Sequence, residues 1–487
     1  MNLAKITLLA ALTLTTAATT AAPAPVTLSV DTRRPAQTIL GFGASGCWWA
    51  QEVGAWPDAD RRALVRMLYD KKTGLGLTIY RHNLGADTRD DNTITNRKNR
   101  TESVLNTKTG KFDWTRDANA RRIMRDAVDA GAEQVILFVN SPPVNMTVNG
   151  RGRCTTDPNG KKTGKGNKVD PNTVKKTTNL APARYADFAA CLGEITEHFL
   201  RVDKLPVVAL SPINEPGHPW QQNNQEGCYY SPEQTAALLK KIVAEFKRRD
   251  LPVRIEPTES EAWTKAIPYY EAIRRDPELR ATFTDYCLHS YGSKPPGKQQ
   301  LRDWFDKNLP GARLHMSEWC DMRSSELDPG MSGALPMART MVEDLTTGRV
   351  NTWQWWLGAS PHQYRDGLLH YDNDTRKITP LKRYWVMAQF SRYLAKGSVV
   401  LPVKTPAPPE QLLAMAARLP DDRLAVIAVN LSGSAAPLDI QFPKSERWRP
   451  QLRALTDDKH NNAETPAPAD TTLPPHSVLT IIFEKQQ

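Results

Sequence analysis

The chain has 487 residues, 40% of them apolar and 24% charged, with 13 Trp and 13 Tyr beside 11 Phe and a formal charge of +11. That apolar share supplies a sizeable core and excludes a disordered chain, and the length divides naturally into one large domain and a smaller companion. The positive excess sits in stretches such as 97–100 and 161–176, with no repeated basic helix or nucleic-acid module. It reads as surface charge, an acidic polymer substrate being the minority alternative.

In chain order, the first segment reads as an export signal. Residues 1–5 give a short basic start, 6–14 an apolar stretch too short to span a bilayer, and 19–22 the small residues a signal peptidase accepts. Cleavage near Ala22 is expected, and no later run approaches a membrane span. The mature chain is therefore expected to be secreted or periplasmic and monomeric, without membrane or nucleic-acid partners. Six cysteines (Cys47, Cys154, Cys191, Cys228, Cys287, Cys320) lie far apart with no CxxC pair. That spacing offers no zinc site; in an exported chain it predicts one to three disulfides of open pairing, with buried thiols as the alternative.

Between 38 and 392, eight β-like runs (38–49, 76–84, 134–140, 207–214, 253–259, 285–291, 313–319 and 350–357) alternate with amphipathic helical stretches. Among the latter are 58–69, 117–130, 182–200, 232–249 and 335–346, several opening on Pro or Asp in the first turn. Strand–helix units in series predict an α/β fold with a parallel sheet, and eight of them fit a closed (β/α)8 TIM barrel. An open doubly wound sheet would carry a Gly-rich phosphate loop opening a helix. Here the glycines of Gly41-Phe-Gly-Ala-Ser-Gly46 lead into Cys47-Trp-Trp49 instead. Beyond about residue 395, Pro-rich 402–409 is followed by short β-like runs at 412–419, 424–429, 438–442 and 478–483, and 27–30 is a further candidate strand. A side β-sandwich fused to the barrel is expected, made of 23–37 and 393–487.

A barrel of this kind carries its site at the C-terminal ends of its strands. The fourth run ends Ser211-Pro-Ile-Asn-Glu-Pro216 and the seventh His315-Met-Ser-Glu-Trp319. Glu215 and Glu318 are thus the candidate catalytic pair, on opposite sides of a narrow ring. Either glutamate alone would read as a solvated loop residue; the pair, with Pro216 stopping the strand beside Glu215, does not. Two facing carboxylates about 5–5.5 Å apart define a retaining glycosidase.

Together with Gln225-Glu-Gly-Cys-Tyr-Tyr230, Gly41-Phe-Gly-Ala-Ser45 and Asn140-Ser-Pro-Pro143, these motifs resemble glycoside hydrolase family 30 over nearly the whole mature chain. Within that family, 211–230 is most similar to the endo-β-1,6-galactanase branch. The resemblance implies a (β/α)8 barrel with a fused side β-sandwich, with Glu215 as acid/base, Glu318 as nucleophile, and no metal or organic cofactor. Other branches act on β-1,6-glucan, glucuronoxylan or glucosylceramide. The expected activity is endo-β-1,6-galactanase on arabinogalactan-type side chains. A β-1,6-glucanase, a glucuronoxylanase or a catalytically impaired glycan-binding protein are the alternatives.

Around the pair, Asn214 is a candidate to hydrogen-bond a sugar 2-OH, or else a strand-end cap. Arg81, ending the second run, would keep Glu318 charged and oriented, or form a barrel salt bridge. Tyr291 is a candidate donor to Glu318 or to the ring oxygen; His289 joins the site or is a packed core imidazole. Trp48, Trp49, Trp353, Trp355 and Trp356 cluster at the ends of runs one and eight. Strand residues alternate in direction, so not all can face a ligand. Trp356 is the first candidate sugar platform and Trp49 the second. One departure stands out: Val144-Asn145 occupy the place where galactanase-like relatives carry an aromatic pair. The polar stretch 151–179 that follows is expected to form a long loop over the cleft.

Overall fold

The computed structural model describes residues 24–154, 176–221, 224–322, 326–466 and 470–486. The signal sequence expected at 1–22 and most of the loop expected at 151–179 lie outside the described residues.

Among the described residues, eight parallel strand positions form a ring. They are strand one (Gly41–Ser45), two (Ile79–Asn83), three (Gln134–Phe138), four (Val207–Ser211), six (Asp285–His289), seven (Arg313–Glu318) and eight (Thr352–Ser360), with strand five in two pieces, Arg254–Ile255 and Glu259–Ser260. Strand eight returns to strand one through Trp353↔Phe42. The ring closes at strand five, whose first piece pairs with strand four and whose second pairs with strand six. Pro257 lies between the pieces. A residue without an N–H cannot continue the ladder, so the single run expected at 253–259 is split. Strand four likewise stops at Ser211, before Pro212, which leaves 212–216 as a loop on the mouth.

The helices follow the sequence pattern closely. Asp58–Tyr69 has the expected bounds. Pro232–Arg248 opens with a reciprocal cap in which Ser231 Oγ accepts from the Gln234 N–H and Gln234 Oε1 accepts from the Ser231 N–H. Leu238, Leu239, Ile242, Val243 and Phe246 bury one face of it against the barrel.

The C-terminal part forms a six-stranded antiparallel sheet facing a three-stranded one that contains Val26–Val30. Leu424–Asn430 is apolar up to Val429 because both its faces are covered. Leu424, Val426 and Ala428 meet Leu28, Val30 and Leu438 between the sheets, while Ala425, Ile427 and Val429 join the barrel core. Trp448–Thr456, which the pattern did not reveal, pairs with Ser477–Lys485 and bulges between Pro450 and Leu452.

All six cysteines are buried thiols. Cys154 and Cys228 adjoin across the bridge Arg153↔Gly227, the first thiol donating to Gly227 O and the second to Tyr229 O. No helix among the described residues is long and apolar enough to cross a membrane.

Candidate active site

The mouth of the barrel gathers residues from six strands. Glu318, the last residue of strand seven, accepts from Arg81 Nη1 on Oε2 at 2.7 Å and from the Tyr291 hydroxyl on Oε1 at 2.9 Å. Arg81 itself is fully buried on strand two. Its other nitrogen, Nη2, donates to Glu259 Oε2 at 2.7 Å and to Asn214 Oδ1 at 3.2 Å, and its plane lies over the Phe138 ring at 3.5 Å. The fork can turn in neither direction without losing a partner.

Glu215 comes to the same place through a strained turn. Its φ of +40° lies in the left-handed region, which costs a non-glycine residue on the order of 1 kcal/mol. Main-chain bonds hold it there. The Glu215 N–H donates to Glu259 O at 2.7 Å, and Glu215 O accepts from the His218 N–H at 3.0 Å and from Trp220 Nε1 at 3.2 Å. His289 Nδ1 stands 2.9 Å from Glu215 Oε1 and 3.7 Å from Glu318 Oε1. The facing atoms of Glu215, His289 and Glu318 all lie within 4.8 Å of one another.

Burial pushes the Glu215 carboxyl up to about 7, the nearby Glu261 carboxylate adds to the rise, and His218 and Arg81 oppose it. Glu318 is also raised, first by burial, but His289 and Arg81 pull it back. His289 is lowered, first by its own burial, with Glu318 and Glu259 opposing the shift. Burial disfavours the charge on Arg81, yet Glu259 and Glu318 outweigh it and hold the guanidinium above its ordinary value. One imidazole and two carboxylates at this spacing could ligate a cation. The donor set fits one poorly, because both Glu318 oxygens are already engaged and the Arg81 charge stands 2.7 Å from one of them.

The sequence profile of O-glycosyl hydrolase family 30 matches residues 25–284, more than half of the chain. The chain belongs to that family. It is an O-glycosyl hydrolase of the retaining type. An endo-β-1,6-galactanase of Hypocrea rufa is similar at 23% identity over 485 residues, covering 91% of this chain and 92% of that protein. Among solved structures, a conserved exported protein from Bacteroides fragilis is similar at 21% identity and a TM-score of 0.79, covering 94% of this chain and 100% of that one. The catalytic domain of a family 30 xylanase C from Talaromyces cellulolyticus follows at 16% identity and 0.70, with 94% and 100% covered.

In this family 30 chain the cleft over the pair encloses about 570 Å³, within the range of small-ligand sites. Trp356 lines it and meets Trp48 edge to face at 5.4 Å. Trp49, the second expected platform, does not reach the cleft. Strand one ends at Ser45 and a helix begins at Trp49, so strand alternation no longer applies there. The Trp49 ring is buried behind the barrel, its Nε1 bonded to Ser45 O, and Trp48 takes the cleft position. Trp353 and Trp355 are core residues.

Trp220, Glu261 and Tyr364 also line the cleft and were not anticipated. Val144 lies in a neighbouring polar hollow with Asp87, Arg89 and Arg151, away from the lining of the main cleft. Of the motif at 225–230, Gln225 faces the cleft, while Glu226 is structural, accepting from Thr88 Oγ1 at 2.7 Å and the Ala86 N–H at 3.2 Å.

Proposed function

We propose that this chain hydrolyses β-linked galactan by double displacement, with Glu318 as nucleophile, Glu215 as acid and then base, and 38–392 as the catalytic unit beside a sandwich of 23–37 and 393–487. The observation that carries the double displacement is the spacing: facing oxygens within 4.8 Å agree with the close pair of a retaining enzyme, about 5–5.5 Å between carboxyl groups, rather than the about 6.5–9.5 Å of an inverting one. Glu318 forms a bond to the anomeric carbon as the glycosidic C–O bond breaks, and Glu215 delivers its proton to the departing oxygen. The glycosyl ester removes the negative charge of Glu318, whose oxygen lies within 4.8 Å of its neighbour, and so makes ionisation of Glu215 easier. Glu215 then accepts a proton from water as that water attacks the anomeric carbon, releasing the sugar and restoring the Glu318 carboxylate.

Neighbouring groups support these roles. With its Oδ1 turned to Arg81, Asn214 has its amide N–H groups left for a sugar hydroxyl. The Tyr291 hydroxyl holds Glu318, and Trp356 with Trp48 forms an aromatic corner on which a pyranose face can rest.

Two observations favour neutral galactan. The galactanase relative matches over 91% of the chain. The cleft is lined by Glu215, Glu261, Glu318, Asp321 and Asp366, and its arginine, Arg365, is engaged by Asp321 and Asp328. A glucuronate group would meet carboxylates there despite the net charge of +11. The signal-like start at 1–22 supports action outside the cytoplasm.

Incubation with β-1,6-galactan, β-1,6-glucan and glucuronoxylan tests the reading. Oligosaccharides are expected from galactan, with the β-configuration of the first-formed product. Release from glucuronoxylan alone would overturn the substrate, and an α-product the mechanism.

A further inference from the structure

We propose that Glu259 is a positioning residue that joins the acid/base arm and the nucleophile arm of the site through one buried side chain and its own backbone. The inference rests on the roles assigned above to Glu215 and Glu318.

Glu259 opens the second piece of strand five, just past the break at Pro257, and it is fully buried. Its carboxylate takes Arg81 Nη2 at 2.7 Å while Arg81 Nη1 takes Glu318 at 2.7 Å, so one guanidinium bridges two carboxylates. Its carbonyl oxygen accepts the Glu215 N–H at 2.7 Å, and its N–H donates to Ile213 O at 3.0 Å. A β-bridge aligns it with Asn214. The left-handed turn that presents Glu215 is therefore pinned to the residue that holds the partner of Glu318. Past the break, the second piece pairs with strand six and meets the loop after strand four through the bridge to Asn214, so Glu259 touches both sides.

The charge on Glu259 has a direction of effect. Facing it are Arg81 from strand two, His289 and Cys287 from strand six, Glu318 from strand seven and Glu256 from strand five itself. Its negative charge lends Glu318 a push upward and spends part of Arg81. Without that charge, Arg81 acts on Glu318 alone and the nucleophile ionises at lower pH. Glu259 is not among the largest influences on Glu215, whose rise comes first from burial and next from Glu261. One limb of the pH profile should respond and the other should not.

The test uses the full-length enzyme and a β-1,6-galacto-oligosaccharide. Glu259→Gln keeps the shape and an acceptor for Arg81 but removes the charge. The acid limb of kcat/KM is expected to move down by about one pH unit and kcat to fall about tenfold, with the basic limb in place. Glu259→Asp keeps the charge one methylene back: the acid limb should stay with wild type while kcat falls, and this variant serves if the Gln protein does not fold. Superimposable pH profiles of wild type and Glu259→Gln, or an Asp variant with unchanged kcat, would overturn the proposal. If Glu318→Gln still turns over, the catalytic assignment itself fails, and if the wild type releases no sugar from this oligosaccharide, the substrate reading fails. An active wild type, a dead Glu318→Gln and an unmoved Glu259→Gln profile would sink the role of Glu259 alone.

Discussion

Glu261 offers a test of what makes Glu215 an acid. The Glu215 carboxyl rises from 4.5 to about 7, burial being the largest cause and Glu261 the next. At 1.36 kcal/mol per pH unit, the whole rise is worth about 3 kcal/mol, the net of burial and Glu261 against His218, Arg81 and Lys265. Glu261 is paired with Lys265 at 2.7 Å, and Glu261→Gln would leave that ammonium unopposed, adding to the downward pull on Glu215. The basic limb of kcat/KM, which reports loss of the proton from the free enzyme's acid, is expected to move from about 7 toward 6. The acid limb should move less, because Glu261 is not among the largest influences on Glu318. Profiles from pH 4 to 9 on an oligosaccharide with a poor leaving group make the comparison, since an activated aryl glycoside needs little acid assistance. A weakened grip on substrate would lower the whole curve without moving its limbs. A basic limb that stays or moves upward would refute the electrostatic reasoning.

Four further outcomes follow from the same geometry. Glu318→Gln should lose turnover on every substrate, whereas Glu215→Ala should keep activity on aryl β-glycosides and be rescued by azide to a β-glycosyl azide, read by proton NMR; an α-azide would contradict the assignment. Glu215→Gln should stabilise the fold above pH 7: the unfolded carboxyl ionises from about 4.5 while the buried one holds its proton to about 7, so native stability falls across that window in wild type and not in the variant. Melting temperatures should therefore agree near pH 4 and separate in favour of Glu215→Gln at pH 8. Trp48→Ala should raise KM severalfold with little change in melting temperature, while Trp49→Ala should cost about 3–5 kcal/mol of stability, measured by denaturant titration, and leave KM of the folded enzyme unchanged. Dialysis against a chelator should leave kcat unaltered, because Arg81 already neutralises Glu318.

Local chemistry wrote much of this plan into the chain. Eight apolar runs punctuated by Pro, Gly and capped helices specify a barrel because strand and helix periodicities are properties of neighbouring residues. Asn-Glu-Pro after a strand marks a carboxylate at the mouth for the same reason: Pro212 and Pro216 bracket the turn whatever lies around it. Trp49 shows how far such reasoning reaches. Alternation holds only while the strand does, and Ser45 ended it sooner than the run of residues implied. Glu259 and Glu261 were invisible because a glutamate beside a broken strand looks like any loop residue. Their meaning comes from Arg81, 178 positions away, and from Glu215, brought near only when the ring closes. Proton affinities belong to the same category, since burial and the nearness of charges from five strands decide them, and neither exists in an extended chain.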